Sequence, residues 1–274
     1  METKTKIKKI LAILFSLFMG NLLIPLLSKL FPNTMLSILP SNGTVRSFVI
    51  ELIGAVISIG LLFLFHKTRV LKITAKGLAT GLSCGLPFIV AYGLLMLLGL
   101  FNIPGKTLIP TFEIVLVVFR WFLIGISEEC LFRGAVQELF IDIFGSKTRK
   151  SVILSIVCTA MVFGLSHFQN LFAGVKPSIV LVQAANAAAL GLVFGAITFR
   201  SGRSVLPTVL IHAFIDGAGF LYHGMLWGAS TVESINALSV GSLILIPIYT
   251  GIFIFLMRKS ITDPLFRRTC QTVV

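Results

Sequence analysis

Eight stretches of this chain, at about residues 10–27, 48–65, 77–100, 114–131, 152–168, 179–198, 205–222 and 240–257, are long and almost uninterruptedly apolar. Each is close to the ~20 residues that an α-helix needs to cross the hydrocarbon core. In lipid every backbone N–H and C=O must find a partner within the protein, and a single apolar run does so only as a helix. A composition of 56% hydrophobic and 12% charged residues over 274 positions, with a mean hydropathy of +1.01, excludes a soluble globular domain. The expected fold class is all-α, a polytopic membrane helix bundle of about eight transmembrane helices. No Pro/Gly/Ser-rich linker or long polar insertion divides the chain, so residues 1–274 are expected to form one integral membrane domain.

A net charge of +13 would suit a nucleic-acid partner, but the positions of the basic residues give another cause. Threading eight spans from a cytoplasmic N-terminus puts Lys4, Lys6, Lys8, Lys9, Lys67, Arg69, Lys72, Lys76, Lys147, Arg149, Lys150, Arg200, Arg203, Arg258, Lys259, Arg267 and Arg268 inside. Only Lys29, Arg46, Lys106 and Lys176 fall outside. This is the positive-inside asymmetry, with both termini cytoplasmic. The expected partner of the basic excess is the lipid bilayer, through its anionic headgroups, with no nucleic acid. Residues 1–27 have a basic start and an apolar run like a signal peptide, but without a small-residue cleavage site they read as a retained first span. The compact loops and basic N-terminus fit a bacterial plasma membrane. Cys84, Cys130, Cys158 and Cys270 have no metal-ligand spacing and lie mostly in spans; Cys270, fifth from the end, misses the C-a-a-X prenylation pattern by one residue.

Two rows of small residues at four-residue spacing, Gly77, Gly81 and Gly85 in the third span and Gly191 and Gly195 in the sixth, predict faces where helix backbones approach closely. The short loop 201–204 predicts that the sixth and seventh spans are antiparallel neighbours.

The ionisable residues in or near span interiors are Glu51, Glu113, Arg120, Glu128, Glu129, Arg133, His167, His212 and Asp216. A charge at mid-bilayer costs about 2.5–3.5 kcal/mol on insertion scales, so it needs a partner or a cavity. Glu51, Glu113 and Arg120 lie near probable span ends, where reaching to the interface suffices; His66 and His223 also look interfacial. Glu129 and Arg133 share a helix face and can neutralise each other. Glu128 is about 100° around the helix and has no partner in its own segment, the condition of a carboxylate available as a general base. Two histidines, a spare carboxylate and an aspartate from three spans predict one shared polar site.

These residues form three motifs, EECLFR at 128–133, FGLSH at 163–167 and HAFID at 212–216. In order, spacing and placement they resemble the CPBP family of intramembrane proteases, also called Abi or Rce1-like, whose pattern is E-E-x-x-x-R, F-x-x-x-H and H-x-x-x-N. The resemblance covers about residues 114–222. It implies an endopeptidase, of the glutamic type, that cleaves a membrane-associated protein or peptide with a glutamate-activated water: a CAAX-type C-terminus, a bacteriocin or pheromone leader, or a signalling protein. It implies a catalytic set of Glu128, Glu129, His167, His212 and Asp216, with Arg133 as structural ion-pair partner. Glu128 is the base, His167 positions the water or moves its proton, and His212 with residue 216 stabilises the oxyanion. Asp216 stands where the family usually has asparagine. It serves either as a protonated donor or by orienting His212.

No cofactor is expected. Two histidines and a carboxylate leave zinc as an alternative, but H-E-x-x-H is absent and the resemblance points to a metal-free mechanism. By helical rise His212 lies about 13 Å from Arg203 and His167 about 25 Å from Lys150. A tilted or broken helix, or an interfacial segment at 137–144, is needed to bring the two level, and the resemblance implies access from the cytoplasmic side. The competing readings are a non-catalytic scaffold or immunity protein that keeps the fold, which Asp216 favours, and a proton-coupled carrier, against which no inverted repeat is visible.

Overall fold

In the computed structural model, residues 2–31 and 38–263 are described; Arg267, Arg268 and Cys270 lie outside them. The described residues form helices and connecting turns, with no strand. Helix α1 (Glu2–Leu17) passes through a π turn, Phe18–Leu22, into α2 (Leu23–Leu30). Then come α3 (Gly43–Leu64), α4 (Ala75–Phe101) and α5 (Thr111–Glu129), which continues through a π segment, Cys130–Val136, into α6 (Gln137–Phe144). After α7 (Arg149–Ser166) a 3-10 turn, His167–Leu171, leads to α8 (Pro177–Arg200) and α9 (Leu206–Tyr222). The short α10 (Thr231–Asn236) and a 3-10 turn precede α11 (Leu245–Leu256).

Each of the eight predicted apolar stretches falls on helix. Among the described residues five helical segments are long and apolar enough to cross a membrane by themselves: Lys4–Leu27, Gly43–Leu64, Ala75–Phe101, Arg149–Leu171 and Pro177–Arg200. Leu206–Tyr222 and Val240–Leu256 are shorter apolar helices. The remaining rod, α5 through α6, carries the charged motif. Large apolar side chains stay exposed around the bundle, Val56, Phe63, Phe119 and Ile254 each by about 60%, as a lipid-facing surface requires. Polar side chains close helix ends: the side chains of Asn42, Thr74 and Thr148 accept from the backbone N–H of Val45, Gly77 and Ser151, satisfying donors that begin a helix without partners.

Lipid offers no hydrophobic drive for helices to associate, so close approach has to supply the contact. A Cβ on Gly81 would sit 2.4 Å from Pro207 and one on Gly85 2.2 Å from Ile211, and the Gly77 row is the face on which α4 receives α9 and the loop before it. Gly191 and Gly195 likewise admit Ala160 and Ile156 of α7. The expectation that the sixth and seventh spans are neighbours holds, with Phe194 of α8 also against His212 of α9, though most of α9 packs elsewhere. Helices α8 and α9 are joined by a short loop and meet beside it, at Thr198 and Thr208, whose hydroxyls lie 3.3 Å apart. The main partners of α9 are α4 and α5.

One end of the bundle gathers charged contacts. Lys9 Nζ donates to the Asp142 carbonyl at 2.8 Å, Lys67 pairs with the Asp142 carboxylate, and Arg203 pairs with Glu138. Three of the basic residues assigned to one side of the membrane by sequence, Lys9, Lys67 and Arg203, thus meet on α6. Gly81→Val should lower the melting temperature of the detergent-purified protein, with a cost of about 1–3 kcal/mol as expected for an overpacked contact.

Candidate active site

The π segment follows directly on the two glutamates, and π turns are rare and concentrated at functional sites. All seven of its residues are buried. Arg133 is fully buried with its Nη1 3.2 Å from Glu129 Oε1. Its guanidinium lies over the ring of Phe163 at 4.3 Å and near that of Phe194 at 5.3 Å, contacts that stabilise a desolvated cation. The predicted local pair therefore exists, and it has a third member. Glu129 Oε1 accepts from His212 Nδ1 at 2.8 Å. Glu129 reaches the site from behind His212; it does not line the cavity.

With Nδ1 engaged, the other edge of the His212 ring faces two acids, Glu128 Oε2 at 3.6 Å and Asp216 Oδ2 at 3.7 Å. These are electrostatic contacts, too long for direct hydrogen bonds. His167 sits where α7 gives way to the 3-10 turn, and its Nδ1 donates to the Phe163 carbonyl at 2.9 Å. In the neutral ring this leaves Nε2 as an acceptor. Phe163 spaces the two histidines, with ring centroids 4.9 Å from His167 and 6.2 Å from His212. The depth difficulty disappears because α6 extends the α5 rod. Arg203, in the loop before α9, pairs with Glu138, and α6 runs on to Phe144, about 9 Å further by helical rise, so α7 starts toward His167 from a lower level than α9 does toward His212.

Glu128, His167, His212 and Asp216 line one cavity of about 850 Å³. Among the described residues no group of three or more His, Cys, Asp or Glu side chains is arranged to hold a metal ion.

Several lining residues were not anticipated as functional. Arg120 and Glu51, read as interfacial, instead form a pair on the cavity wall at 3.5 Å. The reason is visible in hindsight: Arg120, Ile124, Ser127 and Glu128 make a helical stripe that faces the cavity together. Glu113 does lie at a helix start as expected, accepting from Asn42 and Thr44. His223, also read as interfacial, lies at the end of α9 on the cavity wall. A row of carboxamides, Asn21 with Gln169 and Asn170 with Gln183, bonds at 3.0 and 2.8 Å along another wall. Single amides in apolar runs give no periodic signal.

The lining of the cavity extends to one end of the bundle. Lys29 at the end of α2, Phe172 and Ala173 beyond α7, His223 beyond α9 and Thr231 of α10 all belong to it. Lys29 Nζ lies 4.6 Å over the exposed Phe172 ring. Those are the helix ends opposite Lys9, Lys67 and Arg203.

Two outcomes follow. Arg133→Met should cost about 3–5 kcal/mol, because it strands a buried carboxylate, and the double replacement Glu129→Gln/Arg133→Met should recover much of the loss in thermal unfolding. In a variant freed of native cysteines, Ala173→Cys should react with an impermeant maleimide in intact cells, while Lys72→Cys should react only after permeabilisation. The reverse pattern would put the cavity mouth on the cytoplasmic side.

Comparison with known proteins gives a family match to the segment that carries the site. The family model described as type II CAAX prenyl endopeptidase Rce1-like matches residues 110–218, about two-fifths of the chain. Neither the curated proteins nor the solved structures give a match. The matched segment contains all three motifs and every residue of the Glu128, His167, His212 and Asp216 constellation, and over it the chain is similar to the Rce1-like family, in agreement with the CPBP (Abi) pattern that those motifs resemble.

Proposed function

We propose that this chain is an intramembrane endopeptidase that hydrolyses a peptide bond of a membrane-associated protein or peptide, with Glu128 as the base. One observation carries the reading: Glu128, His167, His212 and Asp216, from three separate parts of the chain, share the wall of one cavity within a membrane bundle. Peptide hydrolysis needs an activated water facing a preorganised donor site, and this wall has groups of both kinds.

In this mechanism a water held between Glu128 and His167 Nε2 gives its proton to the Glu128 carboxylate while its oxygen adds to the scissile carbonyl carbon. The carbonyl oxygen takes the negative charge and accepts a hydrogen bond from protonated Nε2 of His212. Glu129 acts through His212 as a positioning residue. Its hydrogen bond to Nδ1 fixes which ring edge faces the cavity. Collapse of the tetrahedral intermediate breaks the C–N bond, and the proton carried by Glu128 passes to the leaving amine. Asp216, one helical turn from His212, keeps that imidazole in its donor form by its negative charge. An asparagine in its place would donate its own N–H to the oxyanion.

The presence of Lys29, Phe172, Ala173 and His223, from the helix ends away from the basic loops, in the cavity lining supports substrates presented at the non-cytoplasmic face, such as a translocated leader peptide or an exposed segment of a membrane protein. The scaffold reading keeps one supporting feature, the aspartate where asparagine is usual.

Membrane and secreted peptides from cells expressing wild type or Glu128→Gln at matched levels, compared by mass spectrometry, test the proposal. New peptide termini present only with wild type are expected, a loss of at least 10²-fold in cleavage for the variant. Asp216→Asn should retain activity within about tenfold, whereas Asp216→Ala should lose more. Identical peptide profiles would favour the scaffold.

A further inference from the structure

Arg120 is a charge that the catalytic reading leaves unused. It is 8% exposed, its Nε has no hydrogen-bond partner in the protein, and its contact with Glu51 is a single Nη2 to Oε1 approach of 3.5 Å. A guanidinium offers five N–H donors in a planar fork suited to a bidentate carboxylate. One long contact uses little of that capacity, and the burial of such a charge is costly without fuller pairing. The fork is also well placed, since Arg120 and Glu51 both line the cavity that holds Glu128 and His212.

Its distance from the chemistry can be read from the helix. Arg120 and Glu128 are eight residues apart in the uninterrupted α5, a rise of about 12 Å. An extended peptide spans about 3.3–3.6 Å per residue, so this separation corresponds to roughly three residues. Ile124, one turn from Arg120, lies between the two on the same wall and gives the intervening residues an apolar surface.

We propose that Arg120 is the anion subsite of this cavity, taking a carboxylate of the bound peptide about three residues from the scissile bond, with Glu51 as the weak internal partner that the ligand displaces. The proposal rests on the endopeptidase reading for what occupies the cavity. The carboxylate has two possible sources, the free C-terminus of the peptide or an acidic side chain.

Binding separates the subsite from catalysis. The full chain in detergent is titrated with the tripeptide valyl-isoleucyl-leucine as free acid and as C-terminal amide, and with amidated versions ending in glutamate or glutamine. At least tenfold tighter binding of the free acid than of its amide is expected if the site reads a chain end, and of the glutamate than of the glutamine version if it reads a side chain. Whichever preference holds should disappear in Arg120→Gln, survive in part in Arg120→Lys and grow in Glu51→Gln, where the internal competitor is gone. Equal binding of acid and amide together with equal binding of the glutamate and glutamine versions, a preference that persists in Arg120→Gln, or no binding at millimolar peptide overturns the subsite. Should Arg120→Gln fail to fold, a preference that does not increase in Glu51→Gln overturns it too. Carboxylate-selective binding without any cleavage would sink the endopeptidase reading alone, and cleavage without carboxylate preference would sink the subsite alone.

Discussion

The contact on which the site depends is the fully buried Glu129 carboxylate, held between Arg133 and His212. A carboxylate in such a place is tolerable only with a cation and hydrogen-bond donors around it, and the surrounding helices supply them. The π segment brings Arg133 against Glu129, Phe163 of α7 and Phe194 of α8 cover the guanidinium, and α9 contributes the imidazole. Four helical elements are thereby committed to one arrangement. The catalytic proposal uses the result, a histidine whose position is set from behind while its opposite edge faces the cavity.

Much of this was legible from residue types alone. Charges are expensive in lipid, so the few that remain in apolar runs identify their own site, and Glu128, His167, His212 and Asp216 do meet on one wall. The glycine rows were legible for the same reason, because a missing side chain in a membrane helix usually marks a neighbour. Arg120 and Glu51 were misjudged because their distance from span ends was estimated from hydropathy. That measure cannot tell which face of α5 turns inward. Nor could the contact of Glu129 with His212 be read, since it joins residues 83 positions apart. The π winding has no sequence signature in CLFRGAV, so the continuation of the rod to Phe144 could not be read either.

The bundle has two unlike ends. At one, α6 is tied to the N-terminal helix, to the turn after α3 and to the loop before α9. At the other, the connections are longer, carry few basic residues and contribute to the lining of the cavity. The fastening contacts and the cavity thus fall at different ends of the same helices, and the site lies between them.

The two groups of ion pairs also differ in what solvent ions can do to them. Lys67, Asp142 and Arg203 are partly exposed at the basic end, within reach of mobile counterions whose screening length is about 8 Å at physiological ionic strength. Arg133 and Glu129 have no exposed surface, and no counterion can approach them. Salt therefore acts on the fastening of the basic end and leaves the Arg133–Glu129 pair behind the imidazole unchanged, which makes ionic strength a means of loosening one without disturbing the other.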